Sequence, residues 1–92
     1  MYHITTYSFN RAKDLGVKIY PSLNPKYKIA VYNKDDEFLY NIGAIDYLDF
    51  PTYAEHYGLE YALKRRRLYK IRHEKDRKKY GTRGWFADKI LW

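Results

Sequence analysis

Between Leu59 and Tyr80 the chain runs LEYALKRRRLYKIRHEKDRKKY, twenty-two residues without a glycine or a proline. Nothing in the stretch interrupts a 3.6-residue period, so it predicts one long helix reaching the late seventies. Ten Lys and Arg fall between Lys64 and Lys79 against only Glu74 and Asp76, a segment charge of +8. Residues 1–63 hold six bases and eight acids, a net −2, and residues 80–92 add +1, so this one helix accounts for the +7 of the whole chain.

At about 100° per residue, Leu59, Ala62, Leu63, Arg66, Tyr69 and His73 share one side of that helix, while Tyr61, Leu68 and Ile71 fall on another. The first half is therefore expected to be gripped on two sides, by a β-hairpin and by the terminal segment WFADKILW. From Arg72 to Lys79 no apolar residue occurs. That end is predicted to stand in water or against an anion as a bare cationic helix end.

A chain of 92 residues is expected to form a single domain, 1–92, with a β-rich half over 1–48 and a helical half over 49–92. Its core has to be dense, and twelve Tyr, four Phe and two Trp supply the means, since each large ring buries roughly 150–250 Å². The absence of cysteine excludes disulfides and thiolate zinc sites and fits a reducing compartment. No apolar run approaches the roughly 20 residues of a membrane span, and the N-terminal segment lacks a signal-peptide pattern, so a soluble protein without a membrane partner is expected.

In chain order, Met1 to Phe9 alternates loosely and reads as an edge strand or an extended arm. Ser8 or Asn10 is placed to cap a short helix through Leu15, which Gly16 would end in the left-handed conformation. Val17 to Tyr20 reads as a short strand closed by Pro21. Tyr27, Ile29 and Val31 alternate with Lys28, Ala30 and Tyr32, and a second run covers Phe38 to Ile42, so the acidic turn Asn33 to Glu37 predicts a hairpin. Gly43 marks a bulge or a strand end. Asp49-Phe50-Pro51-Thr52 starts a helix that runs to about Tyr57 and breaks at Gly58. A loop over Tyr80 to Gly84 leads to a last helical segment, Trp85 to Trp92. The fold class is thus α+β: a small hairpin or sheet packed against a long basic helix and a short terminal one.

No Ser/His/Asp arrangement, cysteine nucleophile or close carboxylate pair stands out, and a non-enzymatic protein without a cofactor is expected. His56 and His73 with Glu55, Glu74 and Asp76 match no metal-ligand spacing. Gly81-Thr82-Arg83-Gly84 ahead of a helix is suggestive of a phosphate loop but lacks its lysine and its strand, and reads better as a tight connection. The basic helix has a bland reading, a solvated face chosen for solubility. Against that stand its sign bias and its arginines, whose planar fork suits phosphate. The candidate nucleic-acid contacts are Lys64, Arg65, Arg66, Arg67, Lys70, Arg72, His73, Lys75, Arg77, Lys78, Lys79 and Arg83. These cannot all face one way on a straight helix, which implies a homodimer or a wrapped polyanion. Tyr69 and Tyr80, beside basic residues, are the tyrosines placed to stack on bases. The alternative is an interaction protein that binds acidic surfaces or itself through the apolar positions of Leu59 to Ile71.

The ending from Arg65 to Trp92 resembles a family of small basic proteins encoded by nucleocytoplasmic large DNA viruses, the giant viruses. The shared pattern includes Ile-Gly-Ala-Ile at Ile42 to Ile45 and Pro-Thr-Tyr at Pro51 to Tyr53. Leu68 to Lys70, Arg72 to Asp76 and the ending Ala87 to Trp92 complete it. The resemblance brings no catalytic residue. It implies a virus-encoded protein of the virion and of the host cytoplasm or nucleus, where a basic chain would bind double-stranded DNA and help compact the genome.

Overall fold

A computed structural model describes residues Met1–Trp92. It is an α+β chain of seven elements, α1 (Thr6–Leu15), β1 (Lys18–Pro21), β2 (Tyr27–Tyr32), β3 (Phe38–Ala44), α2 (Phe50–Tyr57), α3 (Leu59–Arg72) and α4 (Arg83–Leu91). They fall into two compact units, Met1–Tyr47 and Leu48–Trp92.

In the first unit α1 begins earlier than the sequence predicts. Thr5 is its N-cap, with the hydroxyl accepting from the Ser8 N–H at 3.2 Å. The segment read as a strand or arm therefore keeps only its first five residues outside the helix. At the other end Gly16 takes φ 73°, and the Val17 N–H closes onto the Ala12 carbonyl at 3.1 Å, a Schellman stop. The three strands form an antiparallel sheet in the order β1-β2-β3. Register aligns Ile19 with Val31 and Tyr40, and Pro21 with Ile29 and Ile42. Ile29, Val31 and Ile42 are wholly buried there and form the core of the unit.

Strand β2 is covered on both faces, since Lys28 and Ala30 are buried as well. The Lys28 stem is covered while its ammonium lies 5.6 Å from the Tyr2 ring, an arrangement that suits an amphipathic side chain. The hairpin turn is built by Asn33, whose Oδ1 accepts from the N–H groups of Asp35 and Glu37 at 3.0 and 2.9 Å. The register shift of the β2–β3 pair lies at Val31/Tyr32, and Gly43, at φ 75°, stands at the end of β3 beside its last residue, Ala44.

In the second unit Asp49 caps α2, its carboxylate accepting from the Thr52 N–H at 3.1 Å, with Pro51 in the first turn. One residue then joins α2 to α3. Gly58 closes α2 through its N–H to Ala54 and opens α3 through its carbonyl to Ala62, at φ 91°, ψ 160°. The contacts run antiparallel: the Arg66 guanidinium sits 3.6 Å from the Phe50 ring centre, Arg65 5.2 Å from Tyr53, and Tyr57 and Tyr61 lie 5.2 Å apart. Helix α4 is capped by Thr82 and buries Phe86, Ile90 and Leu91. Trp92 stacks on Tyr69 at 4.3 Å with ring planes 7° apart, and its other neighbour is Tyr53 at 6.2 Å.

The long helix is shorter than the sequence predicts. It ends at Arg72, and residues 73–80 form successive turns. Residues 73–79 include no apolar residue and so offer no face to bury, while α4 returns to place Trp92 on Tyr69. Arg77 fixes the reversal, its Nε donating to the Lys70 carbonyl at 3.1 Å. Gly84 allows the close approach that follows, since a Cβ there would stand 3.0 Å from the Asp76 carbonyl oxygen. Of the two expected grips on α3, the terminal segment supplies one, through Trp92 on Tyr69. Ala62 and Tyr69 are buried, whereas Leu59, Leu63, Leu68 and Ile71 remain exposed.

Candidate nucleic-acid interface

The second unit holds twelve Lys and Arg against six Asp and Glu, a net +6 of the chain's +7. The fold divides the expected cationic contacts into three groups. Arg65 and Arg66 lie over Tyr53 and Phe50 on the packed side of α3, so their planar heads serve the α2–α3 contact. A second group is engaged in ion pairs. Lys70 donates to the Oδ1 of buried Asp88 at 2.8 Å. Arg77 reaches the Glu74 carboxylate at 2.8 Å as well as the Lys70 carbonyl, and Lys78 binds the same carboxylate. Those two cations, Lys78 first and then Arg77, hold the Glu74 carboxyl below its ordinary value. His73 caps α3 and packs on Tyr69 at 4.4 Å.

The third group comprises Lys64, Arg67, Arg72, Lys75 and Lys79, all exposed and none in an ion pair. Arg83, exposed in the first turn of α4, stands apart from them in sequence. Arg67 and Arg72 are five residues apart on α3, about 140° around its axis. Lys64 and Arg67, by contrast, share one face and line an open groove of about 560 Å³ with Tyr57, Glu60, Tyr61 and Leu63.

The bare cationic end is thus not a helix end, and part of it is structural. The Arg77 side chain retains only 20% of its exposure. Of the tyrosines set beside basic residues, Tyr69 is buried under Trp92, and Tyr80 is exposed but lies 4.7 Å from Trp85. Tyr57 and Tyr61, which are not among the tyrosines expected to stack on bases, are 60% and 42% exposed beside the groove cations. Their spacing of four residues across Gly58 was the available signal, but only the sharp turn at that glycine shows the rings meeting. No group of three or more His, Asp or Glu side chains is placed to hold a metal ion. No helix is long and apolar enough to cross a membrane. No protein-family model, curated protein or solved structure matches the chain.

Proposed function

We propose that this chain is a non-enzymatic nucleic-acid-binding protein that grips DNA through its phosphates and largely without regard to sequence. The observation that carries the reading is the set of five exposed, unpaired cations, Lys64, Arg67, Arg72, Lys75 and Lys79, in a unit of net +6. Cations already engaged with carboxylates gain little from a phosphate, because one partner is exchanged for another; cations in water release condensed counterions when they bind. Contacts of this kind fix position on the backbone and carry no base information. A role in compacting a viral genome within the virion follows from the resemblance of residues 65–92. Gel-shift titration of duplex DNA in rising salt is the test: a shift at low salt that fades steeply as salt increases is expected. No shift at low salt, or one indifferent to salt, overturns the proposal.

A second reading is favoured by Leu59, Leu63, Leu68 and Ile71, which leave apolar surface on α3 in water. Under it the chain self-associates as a homodimer or docks on an acidic protein in the virion. Light scattering over a concentration series separates the two, since a strict monomer that still shifts DNA removes this second reading.

A further inference from the structure

The groove beside α3 joins two features that phosphate binding alone does not need. It is lined by the exposed rings of Tyr57 and Tyr61 and by Leu63, together with Lys64, Arg67 and Glu60. The rings are held from behind: Tyr53 contacts Tyr57 at 6.1 Å and Tyr61 at 5.7 Å, and is itself covered by Arg65 and Trp92. A surface so supported loses little freedom when a ligand stacks on it. Glu60 and Lys64 are four residues apart, the spacing of a helical ion pair. They form none, and Arg67 has no carboxylate partner either.

We infer that this groove receives an unpaired nucleotide of single-stranded nucleic acid. The inference rests on the nucleic-acid reading above and narrows its ligand. Tyr57 and Tyr61 offer π-surface to a base, Lys64 and Arg67 meet its phosphates, and Glu60 accepts from an exocyclic amino group. Duplex DNA presents the phosphates but keeps its bases stacked inward, so it engages only the cations. An acidic peptide would match the cations and leave the rings and Glu60 unused.

The test compares a short labelled single strand, its duplex and an abasic strand of equal length by fluorescence anisotropy at one salt concentration. The complete strand is expected to bind roughly tenfold tighter than the abasic one, a factor set by base–aromatic stacking. Tyr57→Leu, at an exposed position, should bring the two strands together without weakening the abasic strand. Tyr61→Leu serves as a second variant, with melting temperature as the control for folding. Arg67→Gln should weaken all three ligands. Equal binding of complete and abasic strands, or an unchanged ratio in both tyrosine variants, overturns the groove assignment and leaves phosphate binding standing. If none of the three ligands binds, the function proposed above falls and this inference falls with it. Concentration-dependent dimerisation lost in Tyr57→Leu, with no preference for complete strands, assigns the groove to a second copy and overturns the inference.

Discussion

Replacing Lys70 removes the ammonium that faces Asp88 at 2.8 Å, and Asp88 is 1% exposed. Its second oxygen, Oδ2, has no hydrogen-bond donor, and the one further cation near it is the Lys89 ammonium at 4.0 Å. Lys70→Ala is therefore expected to cost about 3–5 kcal/mol, the usual penalty for stranding one member of a buried pair. Lys79→Ala, at an exposed position, should stay within about 0.5 kcal/mol. Urea unfolding of both variants checks the contrast. The neighbouring Tyr69 hydroxyl is pushed up from 10.0 to about 12, first by burial and then by the Asp88 charge. Since the folded value lies above the unfolded one, the stability that depends on the neutral phenol is complete below pH 10. It is lost as pH rises toward 12. Tyr69→Phe should remove that portion of the alkaline loss and the latest-ionising component of the tyrosine absorbance titration. Lys18, whose ammonium is held above its ordinary value by Asp36, loses its contribution equally in both proteins.

At the scale of the elements, Gly58 sets the geometry of α2 and α3. Its φ of 91° and ψ of 160° lie where only glycine is at ease, and a Cβ there would meet nothing within 4 Å. The cost of Gly58→Ala is thus backbone strain alone, expected at about 1–3 kcal/mol. Thermal melts measure it, and a neutral substitution would mean that the two helices meet at a different angle. Boundaries of this local kind were legible in the sequence. Gly16, Asp49 and Gly58 act through their own backbone or a neighbour's, and the β2 pattern reflects its own two faces. The start of α1 is not fixed by the sequence, because Thr5, Ser8 and Asn10 are all competent caps and only the fold selects Thr5. The end of α3 was hidden for another reason: it depends on Arg77 returning to Lys70 and on Trp92 reaching Tyr69, contacts of tertiary origin. The candidate site divides likewise. Its charge was plain in the composition, but Lys70 finds Asp88 eighteen residues away, and no spacing rule announces that pair.

For the molecule as a whole, these pairings change the number of phosphates it can neutralise. The sequence offers eleven Lys and Arg as contacts from Lys64 to Arg83. On duplex DNA the logarithm of affinity falls by about 0.9 per neutralised phosphate for each unit of log salt, so eleven contacts would give a slope near −10. Removing the cations committed to Tyr53, Phe50, Asp88 and Glu74, and leaving Arg83 out of the count, gives Lys64, Arg67, Arg72, Lys75 and Lys79. The expected slope is then about −4.5. Lys75 and Lys79 sit in the exposed turns between α3 and α4 and contribute no side-chain bond to the fold. The double variant Lys75→Glu, Lys79→Glu should therefore reduce the slope by about 2 and leave the melting temperature unchanged. Arg77→Glu should do the reverse, lowering the melting temperature by breaking its bonds to Lys70 and Glu74 while altering the slope by less than one contact. A wild-type slope near −10, or a double variant that binds with the original slope, would show that the paired cations leave their carboxylates to engage DNA.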